Sequence, residues 1–235
     1  MDRPWERLDE LTGREAAKAV GDYCLEHLLY LKGQQRIYWG LYGDERRIEV
    51  LNTASGPVAK IVQDALFDVI VLGICRLLDP AQSVKKSENL TLALLIDMLP
   101  IPDRKDEYHS ERRRLRDDAA ALVDRRNKHI AHADSAALKK DARVGWVSMR
   151  QIKSALDDMY DLLRRIYKSE FNTETYGWKS NDHPELQFLR ALAFGNAAHA
   201  QKLEDYEEAL ITTPYGESLP DLEDIYPDWL RTPRG

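Results

Sequence analysis

From Val58 to Leu78 the chain carries a helix-length stretch that begins amphipathic and ends apolar on every side. Lys60, Gln63, Asp64 and Asp68 mark a polar side in its first half, whereas Val69 to Cys75 contains no charge at all. A helix that is apolar all round has to be packed all round. Seven apolar residues are far too few to cross a bilayer, which takes about 20. The chain must therefore surround this segment with other elements. Pro57 suits the first turn, where its missing N–H costs nothing, and Asp79-Pro80 stops the helix.

The remaining periodicities supply the surrounding helices. Thr12-Gly13-Arg14-Glu15 reads as a capping box, and Ala16, Val20, Tyr23, Cys24, Leu28 and Leu31 carry a helix from it to about Trp39. Gly40 to Asp44 interrupts that pattern. A short helix over Glu45–Leu51 precedes Asn52–Gly56. A further short helix is expected near Asn89–Leu99, stopped by Pro100 and Pro102. Val144–Val147 is a brief non-helical approach to a second capping box, Ser148-Met149-Arg150-Gln151. Ile152, Leu156, Met159, Leu163 and Ile166 then take a helix to about Phe171. No alternating strand pattern competes with these periods, so the expected fold is all-α, a bundle around one central apolar helix.

The texture changes after Phe171. Asn172–Asp182 is turn-rich, with Gly177 and Trp178, and Pro184 opens a helix through about Leu210. Between Leu203 and Asp228 there are nine acidic residues and no Lys or Arg, and Pro214, Gly216, Pro220 and Pro227 break the end of the chain. The expected organisation is a bundle over 1–172 and an appendage over 173–235 that packs through Tyr, Trp and Leu while keeping an acidic surface solvated.

Composition limits the function. With 43% hydrophobic and 31% charged residues the chain suits a soluble globular protein. A net charge of −6 means that any nucleic-acid contact needs a local basic patch. Cys24 and Cys75 both lie in apolar helical context and read as buried thiols, not a disulfide framework. Met1-Asp2-Arg3-Pro4-Trp5-Glu6 opens polar, without a signal-peptide pattern, so the expected location is the cytosol, with no membrane contact.

The stretch with chemistry in it is Glu111 to Asp134, a charged amphipathic helix. Leu115, Ala119 and Leu122 form its apolar stripe, and Arg126 falls on the stripe's next step. An unpaired arginine there would be costly to bury. Either the stripe ends in a wet cleft, or a carboxylate pairs with Arg126. His132 lies six positions on, about 240° around an unbroken helix. A bend around Lys128–Ala131 would bring the two together, with Asp134 or Ser135 capping the segment beyond it. Arg112, Arg113 and Arg116, with Arg125 and Lys128, make the segment locally basic. They are read as an RNA-guiding patch, against the plainer reading of a solvated face diluted by Glu111, Asp117 and Asp118.

Metal chemistry fits poorly. The six histidines (27, 109, 129, 132, 183, 199) form no i, i+4 ligand pair beside a glutamate, and His129 and His132 sit next to Lys128 and Arg126, whose charge opposes a cation. No phosphate-binding glycine loop, nucleophile elbow or Cys-x-x-Cys is present. No metal or cofactor is therefore expected. An Arg/His pair does suit RNA strand cleavage. Histidine can take or give a proton near neutrality, arginine stays charged and matches phosphate oxygens with a planar fork, and Asn127 can orient either.

Arg126-Asn127, four further residues and His132 resemble the Arg-x(4–6)-His motif of the HEPN superfamily, including the polar residue after the arginine. Arg104–His109 and Arg125–His132 share the spacing, but only Arg126 also has Asn127 beside it and the apolar stripe behind it. Arg76-Leu77-Leu78-Asp79-Pro80, the Arg126–Asp134 segment and the late capped helix are similar to the abortive-infection U-type HEPN-like proteins, over roughly 10–195. The resemblance implies a metal-independent endoribonuclease with Arg126, Asn127 and His132 in its site. It implies a homodimer, RNA as substrate, and a role in phage defence or as a toxin, with a cognate antitoxin or defence partner. It also leaves open a non-catalytic binding or scaffold module in such a complex. HEPN toxins silenced by nucleotidylation carry a tyrosine two residues after the histidine. Asp134 stands there, so that control is not implied.

Overall fold

A computed structural model of the chain describes residues 3–82, 87–130, 147–176, 182–214, 217–218, 221–227 and 230–231, with the side chains of 129, 130 and 224 left aside. After a 3-10 turn at Pro4–Glu10 come helices α1 (Gly13–Tyr42), α2 (Glu45–Leu78), α3 (Leu92–Met98), α4 (Pro102–Asp118) and α5 (Ala120–Arg125). A π-helical turn at Arg126–Ile130 continues α5; beyond it lie α6 (Met149–Phe171), α7 (Pro184–Thr212) and a 3-10 turn at Leu222–Ile225. Among the described residues there is no β-strand, only an isolated bridge between Gln82 and Glu88. The all-α expectation holds.

The chain divides into two compact units, one of 1–39 and 60–182, the other of 40–59 and 183–235. The second thus takes in the hairpin at 40–59 as well as the C-terminal segment that composition alone set apart.

The first unit is built as the periodicities require. On α1, Ala17, Val20, Cys24, Leu28 and Leu31 recur every three or four residues and are all buried. On α2, Ile70, Val71, Ile74, Cys75, Leu77 and Leu78 are buried, but Val69 is 46% exposed and Leu72 only half-buried, so the helix meets core on one broad side and the expected packing all round is not met. A Cβ on Gly73 would collide with the Leu31 side chain, so glycine is what lets α1 and α2 approach this closely. α3 is interior from Leu92 to Ile96 and is capped by Thr91, whose Oγ1 accepts from Leu94 N at 3.2 Å. On α6, Ile152, Leu156, Met159, Leu163 and Ile166 form the buried face. The expected box closes it at the start: Ser148 accepts from Gln151 N and Gln151 Oε1 accepts from Ser148 N. Asn172 closes the other end in the left-handed region (φ 52°, ψ 41°). Each fully buried Leu or Ile contributes roughly 1.5–3 kcal/mol.

Several boundaries differ from expectation. The expected gap at Asn52–Gly56 shrinks to one non-helical residue, Ser55 (φ −172°, ψ 101°), between the helical segments of α2, with Pro57 two residues on. The helix expected from Glu111 already starts at Pro102, where proline occupies the first turn and Asp103 complements the N-terminal dipole. It breaks once, at Ala119 (φ −89°, ψ 12°), whose N–H bonds back to Asp117 O and Leu115 O. Leu115, Ala119 and Leu122 nevertheless stay buried on both sides of that break.

In the second unit, Gly40 lies so close to Glu185 that any Cβ there would clash with it. Arg47 Nη1 donates to Gly40 O at 2.8 Å, and Asn196 Nδ2 to Val50 O at 3.0 Å. Glu204, Asp205, Glu207 and Glu208 are exposed on α7, while Leu203, Tyr206 and Leu210 are half-buried.

Candidate functional site at the end of the central helix

The C-terminal end of α2 collects guanidinium groups. Arg126 Nη1 donates to both carboxylate oxygens of Asp79, at 2.7 and 2.9 Å, and Arg126 Nε donates to Asn127 Oδ1 at 3.1 Å. The Arg126 side chain is 19% exposed and that of Asp79 33%. Of the two readings open to an arginine on the apolar stripe, the paired one holds: Asp79 supplies the carboxylate. Among the described residues nothing bonds Arg126 Nη2. Asp79 belongs to the Arg76–Pro80 stretch that marked the end of the central helix, 47 residues before its partner. Proximity of that kind has no local signal, since only the packing of α4 and α5 on α2 brings the two together.

Arg126 begins the π turn, where the backbone leaves i→i+4 bonding; the bend expected around Lys128–Ala131 runs past the described residues. A π turn closes i→i+5 bonds, enclosing one residue more than an α turn, and such turns concentrate at functional sites. His132 and Asp134, and with them the second half of the motif, lie outside the described residues.

The basic patch separates into two groups. Arg112 is half-buried and donates from Nη1 to Leu78 O at 3.1 Å, satisfying a terminal carbonyl of α2. Burial, then the charges of Arg116 and Arg113, push its pKa down. Arg125 Nη2 donates to Asp68 Oδ1 at 2.8 Å, with its guanidinium 4.8 Å from the Phe67 ring centroid. Lys128 pairs with Asp124 one turn back. These three are engaged within the chain. Arg113 is exposed and touches only its neighbour Ser110 among the described residues, and Arg116 is half-buried beside Cys75 and Arg112. Arg112, Arg116 and Arg126 therefore share the end of α2, whereas Arg125 and Lys128 are committed elsewhere.

Cys75, one turn before Asp79, is a free buried thiol. Its pKa is pushed up to about 11, chiefly by burial and against the pull of Arg126 and Arg116. It stays protonated and inert at neutral pH. Cys24 is likewise free and buried, and its pKa is also raised by burial. The competing pair Arg104–His109 does not form a site. Arg104 binds Glu170, and His109 Nε2 lies 2.9 Å from Asp97 Oδ1. Among the described residues, no group of three or more His, Cys, Asp or Glu is placed to hold a metal ion.

The model of the HEPN family AbiU2 matches residues 21–186, well over half of the chain. The chain belongs to this family. The match takes in Asp79, Arg126, Asn127 and His132, and stops just inside α7. It identifies a HEPN-like protein related to abortive infection. No curated protein and no solved structure matches the chain. In this HEPN chain, no helix among the described residues is long and apolar enough to cross a membrane.

Proposed function

We propose that this chain is a metal-independent endoribonuclease of the HEPN type, acting in phage defence or as a toxin. The observation that carries the reading is the state of Arg126. Its guanidinium is oriented from two sides, by Asp79 and by the adjacent Asn127, on a π turn that opens the segment containing His132. Its Nη2 edge has no partner among the described residues and is available to a phosphate, which arginine meets as a fork of donors.

In the reaction, the 2′-hydroxyl loses its proton to a histidine and attacks the neighbouring phosphorus. The P–O2′ bond forms as the P–O5′ bond breaks, and the leaving 5′-oxygen takes a proton. Arg126 neutralises the charge that builds on the phosphate oxygens, and Asn127 holds Arg126. His132 is the acid or the base. One helix end offers one such histidine, so a two-fold homodimer supplies both roles from identical chains. Arg113 and Arg116 draw RNA towards the end of α2, while Arg112, Arg125 and Lys128 shape the surface. A cognate antitoxin or defence partner would restrain the activity in the cytosol.

A second reading is favoured by the same ion pair: a non-catalytic HEPN-like scaffold in which Arg126–Asp79 only fastens α5 to α2. Total tRNA incubated with the protein in EDTA separates the two. The ribonuclease yields fragments ending in 2′,3′-cyclic phosphate and spares 2′-deoxy substrates. Intact RNA means the scaffold. A requirement for Mg²⁺, or equal cleavage of deoxy substrates, overturns the mechanism.

A further inference from the structure

A second feature of the first unit lies outside the Arg126 end. One face of α1 (Lys32, Gln35, Arg36, Trp39) and one face of α6 (Met149, Arg150, Lys153, Leu156, Asp157) wall two lobes of about 430 and 220 Å³ that share Gln35, Arg36 and Lys153. The i, i+3, i+4, i+7 spacing on α1 sets its four side chains in one row. Four of the groove's residues are cations and one is an acid, in a chain whose net charge is −6.

Asp157 spaces the lysines. It accepts from Lys32 Nζ at 2.5 Å and from Lys153 Nζ at 2.6 Å. Burial would raise its pKa, but the two ammonium groups outweigh that and hold it low, so it stays ionised. Leaving aside Arg36, which is already engaged within the chain, two positive charges remain in excess. Trp39, 56% exposed, lines the larger lobe together with Arg36 of its own helix and Arg150 of α6. A large exposed aromatic costs hydrophobic free energy unless something covers it. A cationic channel with an aromatic platform is the pattern that holds unpaired nucleic acid, phosphates on the cations and a base on the ring. An acidic peptide would use the cations and leave the indole unexplained.

We infer that the α1/α6 groove is a binding site for single-stranded RNA, with a base stacked on Trp39 and adjacent phosphates on Arg150 and Lys153. The site rests on the ribonuclease reading for its purpose, but its chemistry does not depend on cleavage. It gives the protein a grip on an unpaired strand apart from the cleaving end, and so a preference for single-stranded over duplex RNA.

The test uses the full chain and a fluorescent 12-nucleotide oligouridylate, 2′-O-methylated throughout so that it cannot be cut. Trp39→Ala is expected to weaken binding about 5- to 150-fold, the range of one lost stacking contact. Arg150→Gln with Lys153→Gln is expected to lower the slope of log K against log salt by about 1.4, roughly 0.7 per phosphate contact on a single strand. Both sites are exposed, and the double variant guards against an effect of Trp39 on folding. A duplex of equal length should bind more weakly. Unchanged affinity and slope in both variants overturns the proposal, as does an oligoglutamate peptide that binds the groove where the oligouridylate does not. Groove-dependent binding together with no cleavage of unmodified RNA sinks the ribonuclease reading and leaves this site standing. Cleavage that ignores the groove variants does the reverse.

Discussion

Two arginine–carboxylate pairs occupy different parts of the same unit, and they are built in opposite senses. In Arg104–Glu170 the carboxylate is the hidden partner, 5% exposed, while the arginine reaches in from the surface at 46%. Glu170 also accepts from the Tyr108 hydroxyl at 2.8 Å, and its backbone carbonyl accepts from Arg14. Elements α1, α4 and α6 are joined at that one residue. In Arg126–Asp79 the guanidinium is the more sheltered partner and the carboxylate the more solvated one. A buried carboxylate with its oxygens bonded is a fastening, because no outside anion can replace it. On the proposed reading, a half-solvated carboxylate that holds one edge of a sheltered arginine orients the guanidinium and leaves its other edge to a phosphate. On that reading, which of the two charges is kept dry separates the fastening from the site.

The largest expected effect breaks the second pair. Arg126→Ala should lower RNA cleavage by about 10²–10³, and His132→Ala by about 10²–10⁴, measured as single-turnover rates on tRNA. Arg104→Ala and His109→Ala should leave the rate per folded molecule unchanged. If all four behave alike, the contrast between the pairs is void. Next comes Glu170→Ala, which strands Tyr108 and Arg104 and should cost about 3 kcal/mol of stability in urea unfolding, again with cleavage per folded molecule unaltered. Asp79→Asn is expected to cost no more than about 1 kcal/mol, yet to cut cleavage by roughly 10- to 100-fold through a misplaced Arg126. A large stability loss with normal cleavage would make Asp79 a second fastening.

The smallest effect sharpens the comparison through pH. Burial, and then the hydrogen bond to Glu170, raise the pKa of Tyr108, and burial likewise raises those of Tyr167, Cys24 and Cys75. These groups stay protonated in the folded protein at a pH where the unfolded chain already releases protons. Their contribution is intact below the ordinary thiol and phenol values and is lost as pH rises past about 8.5–10. Urea midpoints should fall between pH 8 and 11, and Tyr108→Phe should flatten part of that fall. A midpoint that stays level across this range would refute the assignment.

What the sequence made legible was whatever a single helix reports about itself. The stripe Leu115–Ala119–Leu122, the box at Ser148–Gln151, the largely buried run at Ile70–Cys75 and the end of α6 near Phe171 all depend on spacing within one element. The pairing of Arg126 with Asp79 depends on how α5 crosses α2, which no local pattern encodes. For the same reason Arg112 and Arg125 read as free cations in sequence, although Leu78 and Asp68 engage them in the fold; the pairing of Lys128 with Asp124, four residues back, is by contrast a local spacing. The break at Ala119 has no evident breaker residue, and its neighbours give no physical account of it.

The π turn bears on how the motif varies. On a straight α-helix, adding one residue between an arginine and a histidine swings the histidine by about 100°, so a motif that tolerates four, five or six intervening residues has no fixed geometry there. A turn that closes i→i+5 takes up one residue as local slack. Here it begins at Arg126 itself, within the five-residue interval that leads to His132. Variable spacing in Arg-x(4–6)-His then becomes a difference in how much chain is stored after the arginine. Deleting Lys128 would remove that stored residue and favour an ordinary α turn after Arg126.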